Sequence, residues 1–284
     1  MDNLSLMENK KLERIAAKLR VMALEAMHEA NYGYTGSVMS VMEIVAALYF
    51  GVINDRQVMR VDPKKSQWDE RDFLVFSKGH AAPALYAALA QRGFFAEDEL
   101  KYFAKVGGLL SGFPSVKIPG VDATTGSLGQ GLSVSVGLAL SLKLDKKPNK
   151  VYTILGDAEL QEGQNWEAAM SAAHYRLDNM IAFVDRNKLQ MDGRVAQIME
   201  IDPIFEKFTS FGWYPIRIID GHNFDMLLEA INKAWNVKRK PVVIICNTIK
   251  GKGIPFAEHK AAYSRSVLSD AEMEEVLPLL RAQV

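Results

Sequence analysis

The sequence is short of cysteine, of net charge and of long apolar runs, and each shortage removes a class of protein. Cys246 is the sole cysteine in 284 residues, so no disulfide forms within the chain. Its place in the run Val242-Val243-Ile244-Ile245-Cys246 reads as a buried structural thiol rather than a reactive one. Lysine plus arginine equals aspartate plus glutamate at 34 each, a balance that gives no electrostatic case for a nucleic-acid or anionic-membrane partner. No stretch reaches membrane-span length, and the polar, then amphipathic, N-terminus has no signal-peptide apolar block. A soluble, cytoplasmic protein is expected. Repeats and low-complexity linkers are also missing, so residues 1–284 read as one large α/β domain with a full core.

What is present alternates between two periodicities. Leu12, Ile15, Ala16, Leu19, Met22, Ala23 and Ala26 fall at helical spacing within an amphipathic helix that runs to Ala30 and ends before Gly33. A second helix fits Val41 to Phe50; Met22, Met27, Met39 and Met42 read as gap-fillers on core faces. Asp72 to Ser77 reads as a buried strand running into the loop Lys78-Gly79-His80, followed by helices over Ala81 to Gln91 and Glu97 to Lys105. The Gly/Pro-rich stretch from Gly107 to Gly126 is a long loop, and long loops in compact domains are usually functional. Helix Gly131 to Leu144 precedes two apolar strands, Val151 to Leu155 and Met180 to Val184, joined by helix Glu167 to Tyr175 in a βαβ crossover. Strand Trp213 to Ile219, helix Phe224 to Val237, strand Pro241 to Asn247 and a capped helix from Ser269 to Arg281 continue the alternation. The pattern predicts a doubly wound, mostly parallel sheet with helices on both faces.

The chemistry gathers just past the strand ends. Gly156-Asp157 follows the first central strand, and Asp185-Arg186-Asn187-Lys188-Leu189 follows the second. Open parallel sheets bind ligands beyond the carboxyl ends of their strands. Magnesium takes about six oxygens in a tight octahedron and gives up water reluctantly, so Asp157, the Asn187 amide oxygen and a backbone carbonyl suffice if phosphate oxygens supply the rest. A Gly-Asp turn alone is common in loops, and the metal reading rests on the pairing with Asn187.

Other candidates carry two readings each. Thr125-Gly126-Ser127-Leu128-Gly129-Gln130-Gly131 feeds a helix and is either a tight structural turn or a loop whose backbone approaches a ligand. His80, at a strand-to-helix turn, either holds an anion or shuttles a proton, or is a surface histidine capping a helix. Lys250, just past a strand end, either neutralises phosphate charge or is a solvated loop lysine. Glu162 and Glu167 flank the start of a helix, where the macrodipole stabilises carboxylates.

Gly156-Asp157-Ala158-Glu159-Leu160-Gln161-Glu162-Gly163, continued by Asn187-Lys188 and Asp192-Gly193, resembles the thiamine diphosphate signature in its transketolase form. Thr125-Gly126-Ser127-Leu128-Gly129-Gln130-Gly131 is similar to the same family's ring-binding segment, Ser77-Lys78-Gly79-His80 to its Gly-His near the diphosphate, and Lys250-Gly251-Lys252-Gly253 to its Lys-Gly-x-Gly. The resemblance covers essentially the whole chain as the diphosphate-binding half of a transketolase. It implies thiamine diphosphate and Mg2+ as cofactors, with Asp157, Asn187 and the Leu189 carbonyl on the metal. It implies His80, Gly126, Leu128, Gly156, Ala158, Lys250 and Ser264 around the cofactor, and Glu162 and Glu167 as an acidic pair at a subunit interface that couples two active sites. Ala158 replaces the motif's third glycine, and its N–H remains available to a phosphate only while φ stays negative.

The family's pyrimidine-binding domain has no counterpart in the sequence, so the resemblance implies a C-terminal subunit on a separate chain, in an assembly of two copies of each. Three family histidines are replaced, by Tyr34 in Gly33-Tyr34-Thr35-Gly36, by Phe113 in Gly112-Phe113-Pro114, and by Ser264. Tyr34 and Phe113 are expected to line the substrate side. Ketose cleavage needs a base for the donor hydroxyl, a task suited to histidine and not to a phenol of ordinary pKa near 10 or to phenylalanine. Three readings follow. The first is ketol transfer from a ketose (phosphate) to an aldehyde. The second keeps the cofactor with a 2-oxo acid donor, which needs no such base and gives an acyloin or acyl-carrier product. The third is a non-catalytic scaffold.

Overall fold

A computed structural model describes residues 3–65 and 68–284. The long helix α1 (Asn3–Ala30) is followed by α2 (Thr35–Met39) and α3 (Met42–Phe50), then by a small antiparallel ribbon of β1 (Val52–Ile53) and β2 (Arg56–Gln57). Strand β3 (Phe73–Phe76), helix α4 (Ala82–Arg92) and helix α5 (Gln130–Leu144) lead into β4 (Val151–Gly156), α6 (Gly163–His174) and β5 (Met180–Arg186). A second ribbon, β6 (Leu189–Gln190) with β7 (Gly193–Arg194), and the single turn α7 (Val195–Ile198) come next. Helix α8 (Ile204–Ser210), β8 (Tyr214–Ile218), α9 (Phe224–Asn236), β9 (Val242–Asn247) and α10 (Asp270–Arg281) complete the order.

The five main strands form one parallel sheet in the order β3-β4-β5-β9-β8. Its central strands are buried on both faces, which explains why their sequences read as continuous apolar runs rather than alternating ones. Alternate side chains enter two separate cores. Tyr152, Ile154, Ile181, Phe183, Val242 and Ile244 join α1, α3, α4 and α9 on one face. Val151, Leu155, Ala182, Val184, Val243 and Ile245 join α5, α6 and α8 on the other.

Right-handed crossovers account for this division. From β3 through β4 and β5 to β8 the chain advances in one direction, which lays α5, α6 and α8 on one face. From β8 it steps back to β9, and the reversal places α9 on the opposite face. The order changes direction beside β5 and β9, and a ligand crevice belongs beyond the carboxyl ends of such strands. Edge strand β8 carries Pro215, a residue with no N–H for a ladder, and the exposed Arg217.

The predicted strands and most predicted helices stand within a residue or two of their expected bounds. Ser269 caps α10 through the reciprocal bonds with Glu272 expected of a capping box. Met22, Met27, Met39 and Met42 are buried, as is Cys246, whose thiol burial pushes well above its ordinary pKa. Two expectations need correction. Glu97 to Lys105 is not an α-helix but a 3-10 segment over Glu97–Tyr102. Helix α6 starts at Gly163 instead of Glu167, which puts Glu162 at its N-cap, where its side chain makes no capping bond. Among the described residues no helix is long and apolar enough to cross a membrane.

Candidate active site

The carboxyl ends of β3, β4, β5 and β9 open onto one cavity of about 340 Å3. It is lined by Tyr34, His80, Phe113, Gly126, Leu128, Gly156, Asp157, Ala158, Asn187, Leu189, Lys250 and Ser264, so the sequence candidates for cofactor, metal and substrate converge. Glu162 and Glu167 stand apart, exposed on α6 and outside the cavity. Lys78, Glu159 and Arg265 also line it and were not singled out from the sequence.

The ladder pairing of Gly156 with Asp185 brings Asp157 and Asn187 just beyond the last rungs of adjacent strands. Asp157 is 3 % exposed, and its oxygens accept from the N–H of Ala158 at 2.9 Å and of Lys188 at 2.6 Å. Burial, reinforced by the nearby Asp185 charge, pushes its carboxyl up to about 6. Asn187 Oδ1 accepts the Leu189 N–H at 3.1 Å, and the Leu189 carbonyl accepts from Lys250 Nζ at 3.2 Å. Burial and the charge of Lys78 bring the Lys250 amine down to about 8. Ala158 is absent from the residues with positive φ, which satisfies the condition set for its backbone.

Beneath these groups lies Asp185, fully buried. It accepts from Lys78 Nζ, from Thr248 Oγ1, from Ser40 Oγ at 2.6 Å and from Asn187 Nδ2 at 3.3 Å. The last bond turns the Asn187 amide so that its nitrogen faces Asp185 and its oxygen faces the Leu189 N–H. Burial works against the Asp185 charge, but Lys78 together with the Ser40 and Thr248 hydroxyls outweighs it and holds the carboxyl below its ordinary range. The sequence signal was the first residue of Asp185-Arg186-Asn187 itself, an acid directly at a strand end.

Glu159 joins three segments. Its carboxylate accepts from Ser77 Oγ, from the Gly129 N–H at 3.0 Å and from the Gly156 N–H at 3.0 Å. Two glycines make this approach possible. Gly129 has φ +84, and a Cβ on Gly131 would stand 2.3 Å from Ser77 Oγ. The 125–131 loop therefore reaches the end of β3 only because residue 131 has no side chain.

His80 is neither a surface group nor a helix cap. Burial, then the charges of Lys78 and Lys250, push its imidazole down to about 3, so it is neutral near pH 7. It packs edge-on to Tyr34 with ring centroids 5.2 Å apart. Phe113 lies against Gly126, and Tyr86 pins the Phe113 carbonyl at 2.9 Å. Ser264 Oγ donates to the Gln190 carbonyl at 3.3 Å. A second cavity of about 400 Å3, lined in part by Arg186, Lys188, Arg194 and His259, shares Asp157, Asn187 and Leu189 with the first. Among the described residues no cluster of three His, Cys, Asp or Glu side chains could hold a metal. Any ion here must rely on backbone, amide and ligand oxygens.

The family described as transketolase, thiamine diphosphate binding domain, matches residues 11–280. The chain is 44% identical over 260 residues to the 6-deoxy-6-sulfo-D-fructose transketolase subunit SqwG of Clostridium sp. (strain MSTE9), covering 91% of this chain and 92% of that one. It is 35% identical to an apulose-4-phosphate transketolase subunit of Phocaeicola vulgatus, covering 95% and 94%. Against the transketolase of Homo sapiens it is 37% identical over 96% of its own length, but spans only 42% of that protein. The crystal structure of transketolase from Campylobacter jejuni superposes with a TM-score of 0.88 at 28% identity, over 95% of this chain and 42% of that one. With the sheet-end cavity and its paired Asp157 and Asn187, these matches establish that the chain belongs to the transketolase family, as the thiamine diphosphate-binding part of such a transferase.

Proposed function

We propose that this chain is the cofactor-binding subunit of a two-subunit transketolase, which moves a two-carbon ketol unit from a ketose donor to an aldehyde acceptor with thiamine diphosphate and Mg2+. Its partner would be a separate pyrimidine-binding subunit, in a cytoplasmic assembly of two copies of each. One observation carries the reading: Asp157, Asn187, the Leu189 carbonyl and Lys250 meet in one cavity at the sheet's carboxyl edge. One carboxylate, one amide oxygen and one backbone carbonyl form an all-oxygen set suited to a hard divalent cation that keeps its remaining positions for phosphate or water. The residues present therefore fit both groups.

When bound, thiamine diphosphate would supply the carbon nucleophile that takes up the two-carbon unit. Asp157, Asn187 and Leu189 would hold the ion. Lys250, through Nζ, and the neutral ring of His80 would hydrogen-bond the diphosphate, with Gly156 and Ala158 forming the turn beside it. Gly126 and Leu128 would bear on the rings, Ser264 would stand beside the cofactor, and Tyr34 and Phe113 would face the substrate. Glu162 and Glu167, exposed on α6, would meet the next subunit. The names of the two-subunit relatives specify a sulfonated and a phosphorylated ketose, so a ketose with an anionic terminus is the proposed donor class.

A 2-oxo acid donor is the second reading, favoured by Tyr34, Phe113 and Ser264, which stand where the family pattern has histidines. Both are tested with the full chain and its partner subunit by mass spectrometry. An aldehyde released from a sulfonated or phosphorylated ketose, with a lengthened acceptor, is expected. Carbon dioxide released from a 2-oxo acid, with no ketose cleavage, would overturn the first reading in favour of the second. No turnover of any donor would leave only the scaffold.

The ion assignment also predicts a pH dependence. Asp157 binds a cation only as the carboxylate, and its folded value of about 6 lies above the ordinary 3.8, so the ion-free fold favours the protonated form between the two. Apparent Mg2+ affinity is expected to level off above pH 6 and to fall about tenfold per unit below it. Calorimetric titration at pH 7.5 and 5 checks this, and equal affinities would contradict it.

A further inference from the structure

The Asp220-Gly221-His222 turn lies outside the cavity lining, yet it touches the segment that carries Lys250. Gly221 donates its N–H to the Asn247 carbonyl at 2.7 Å, and a Cβ there would stand 2.7 Å from the Thr248 side chain, so only glycine lets the turn approach the end of β9. The approach puts His222 Nε2 where it accepts the Ile249 N–H at 2.8 Å. A ring nitrogen that accepts is unprotonated, so Nδ1 carries the proton and donates it to Glu43 Oε2 at 2.8 Å. Glu43, on α3, accepts in turn from Arg20 Nη2 at 2.7 and 2.8 Å. Arg20, on α1, closes the circuit by donating Nε to the Lys252 carbonyl at 3.1 Å and Nη2 to the Met39 carbonyl at 3.2 Å.

The Lys250 segment is thus held from both sides, at Ile249 by His222 and at Lys252 by Arg20. Arg20 and Glu43 are 6 % exposed each, and burial of the Glu43 carboxyl is outweighed by Arg20 and His222, which hold it down to about 2. Buried ion pairs of this kind seldom add net stability over apolar residues of the same size, so a role in fixing one conformation is the better account of their presence. The conformation they fix is that of residues 249–252, which carry Lys250 with its Nζ in the cavity, 3.2 Å from the Leu189 carbonyl.

We propose that His222, backed by Glu43 and Arg20, is a positioning residue that fixes the Lys250 loop and so sets the affinity of the cavity for a diphosphate group; the inference rests on the cofactor reading above. None of the three side chains lines the cavity, and each acts through the loop backbone.

A double-mutant cycle on the full chain with its partner subunit tests it, with thiamine diphosphate and Mg2+ binding read by calorimetry. His222→Phe removes both ring hydrogen bonds and is expected to weaken binding about tenfold. His222→Gln, which can still accept from Ile249, recovers most of that loss. In a Lys250→Met background the His222→Phe change is expected to cost less than about twofold, because groups acting through one another are not additive. Equal losses in both backgrounds, or wild-type affinity in His222→Phe, would overturn the proposal. If His222→Phe does not fold, Glu43→Gln takes its place in the cycle with the same two outcomes decisive. Failure of the wild-type chain and its partner together to bind would instead strike the cofactor reading, and the positioning role with it.

Discussion

Asp157→Ala is expected to lower magnesium-dependent affinity for thiamine diphosphate by more than about a hundredfold, because even the outer partners of metal ligands are worth about 10- to 100-fold. Asp157 is the one carboxylate in the proposed ligand set. Asn187 and the Leu189 carbonyl bring no formal charge, so the variant leaves the ion with neutral oxygens from the protein. The fold itself should tolerate the change. At neutral pH a buried carboxyl whose value is raised to about 6 is ionised at the expense of folded stability, and its removal offsets the loss of two hydrogen bonds, from Ala158 and Lys188. The thermal midpoint without ligand is therefore expected to move little, whereas the rise on adding cofactor and Mg2+ should vanish. Calorimetry showing unchanged affinity would refute the metal assignment.

Lys78→Met should produce the largest loss of stability. Lys78 is 1 % exposed and donates to Asp185 and to the Ser37 carbonyl, so methionine fills the space but leaves a buried carboxylate without its counter-charge. Breaking a buried pair in this way costs roughly 3–5 kcal/mol. The pH dependence identifies the cause. In the wild type, burial raises the Asp185 value but Lys78 with the Ser40 and Thr248 hydroxyls lowers it further, so the carboxyl's stabilising contribution is complete above its unfolded value and is lost as pH falls through the folded one. In the variant burial is less strongly opposed, the value rises, and protonation relieves the buried charge. Urea denaturation should show a deficit that narrows between pH 7 and pH 5. A deficit below about 1 kcal/mol, or one independent of pH, would show that the ion pair contributes little.

These two residues also mark what the sequence discloses. Asp157 was legible because it belongs to a local pattern: an apolar strand, a Gly-Asp turn, and a second strand ending in Asn187. The sheet was legible for a related reason, since strands buried on both faces are written as unbroken runs of Val, Ile, Leu and Phe. Lys78 was not, because its partner lies 107 residues away and no periodicity links a lysine after β3 to an aspartate in β5. Arg20, Glu43 and His222 escaped notice likewise. Arg20 and Glu43 sit in helices where a charged residue reads as outward-facing, and only tertiary packing turns them inward. Helix α2 went unread because all five of its residues are buried, which leaves no amphipathic stripe to detect. Tyr34, Phe113 and Ser264 were picked out only by comparison with a family pattern, and the structure then places all three on the same cavity.

The open side of β8 has a bearing on how copies of this molecule meet. A chain that tried to extend the sheet there would meet an imino acid with no amide hydrogen to share at Pro215. Growth of the sheet from molecule to molecule is therefore discouraged on that flank, and association is left to helix surfaces and loops, where shape and side-chain chemistry select the neighbour.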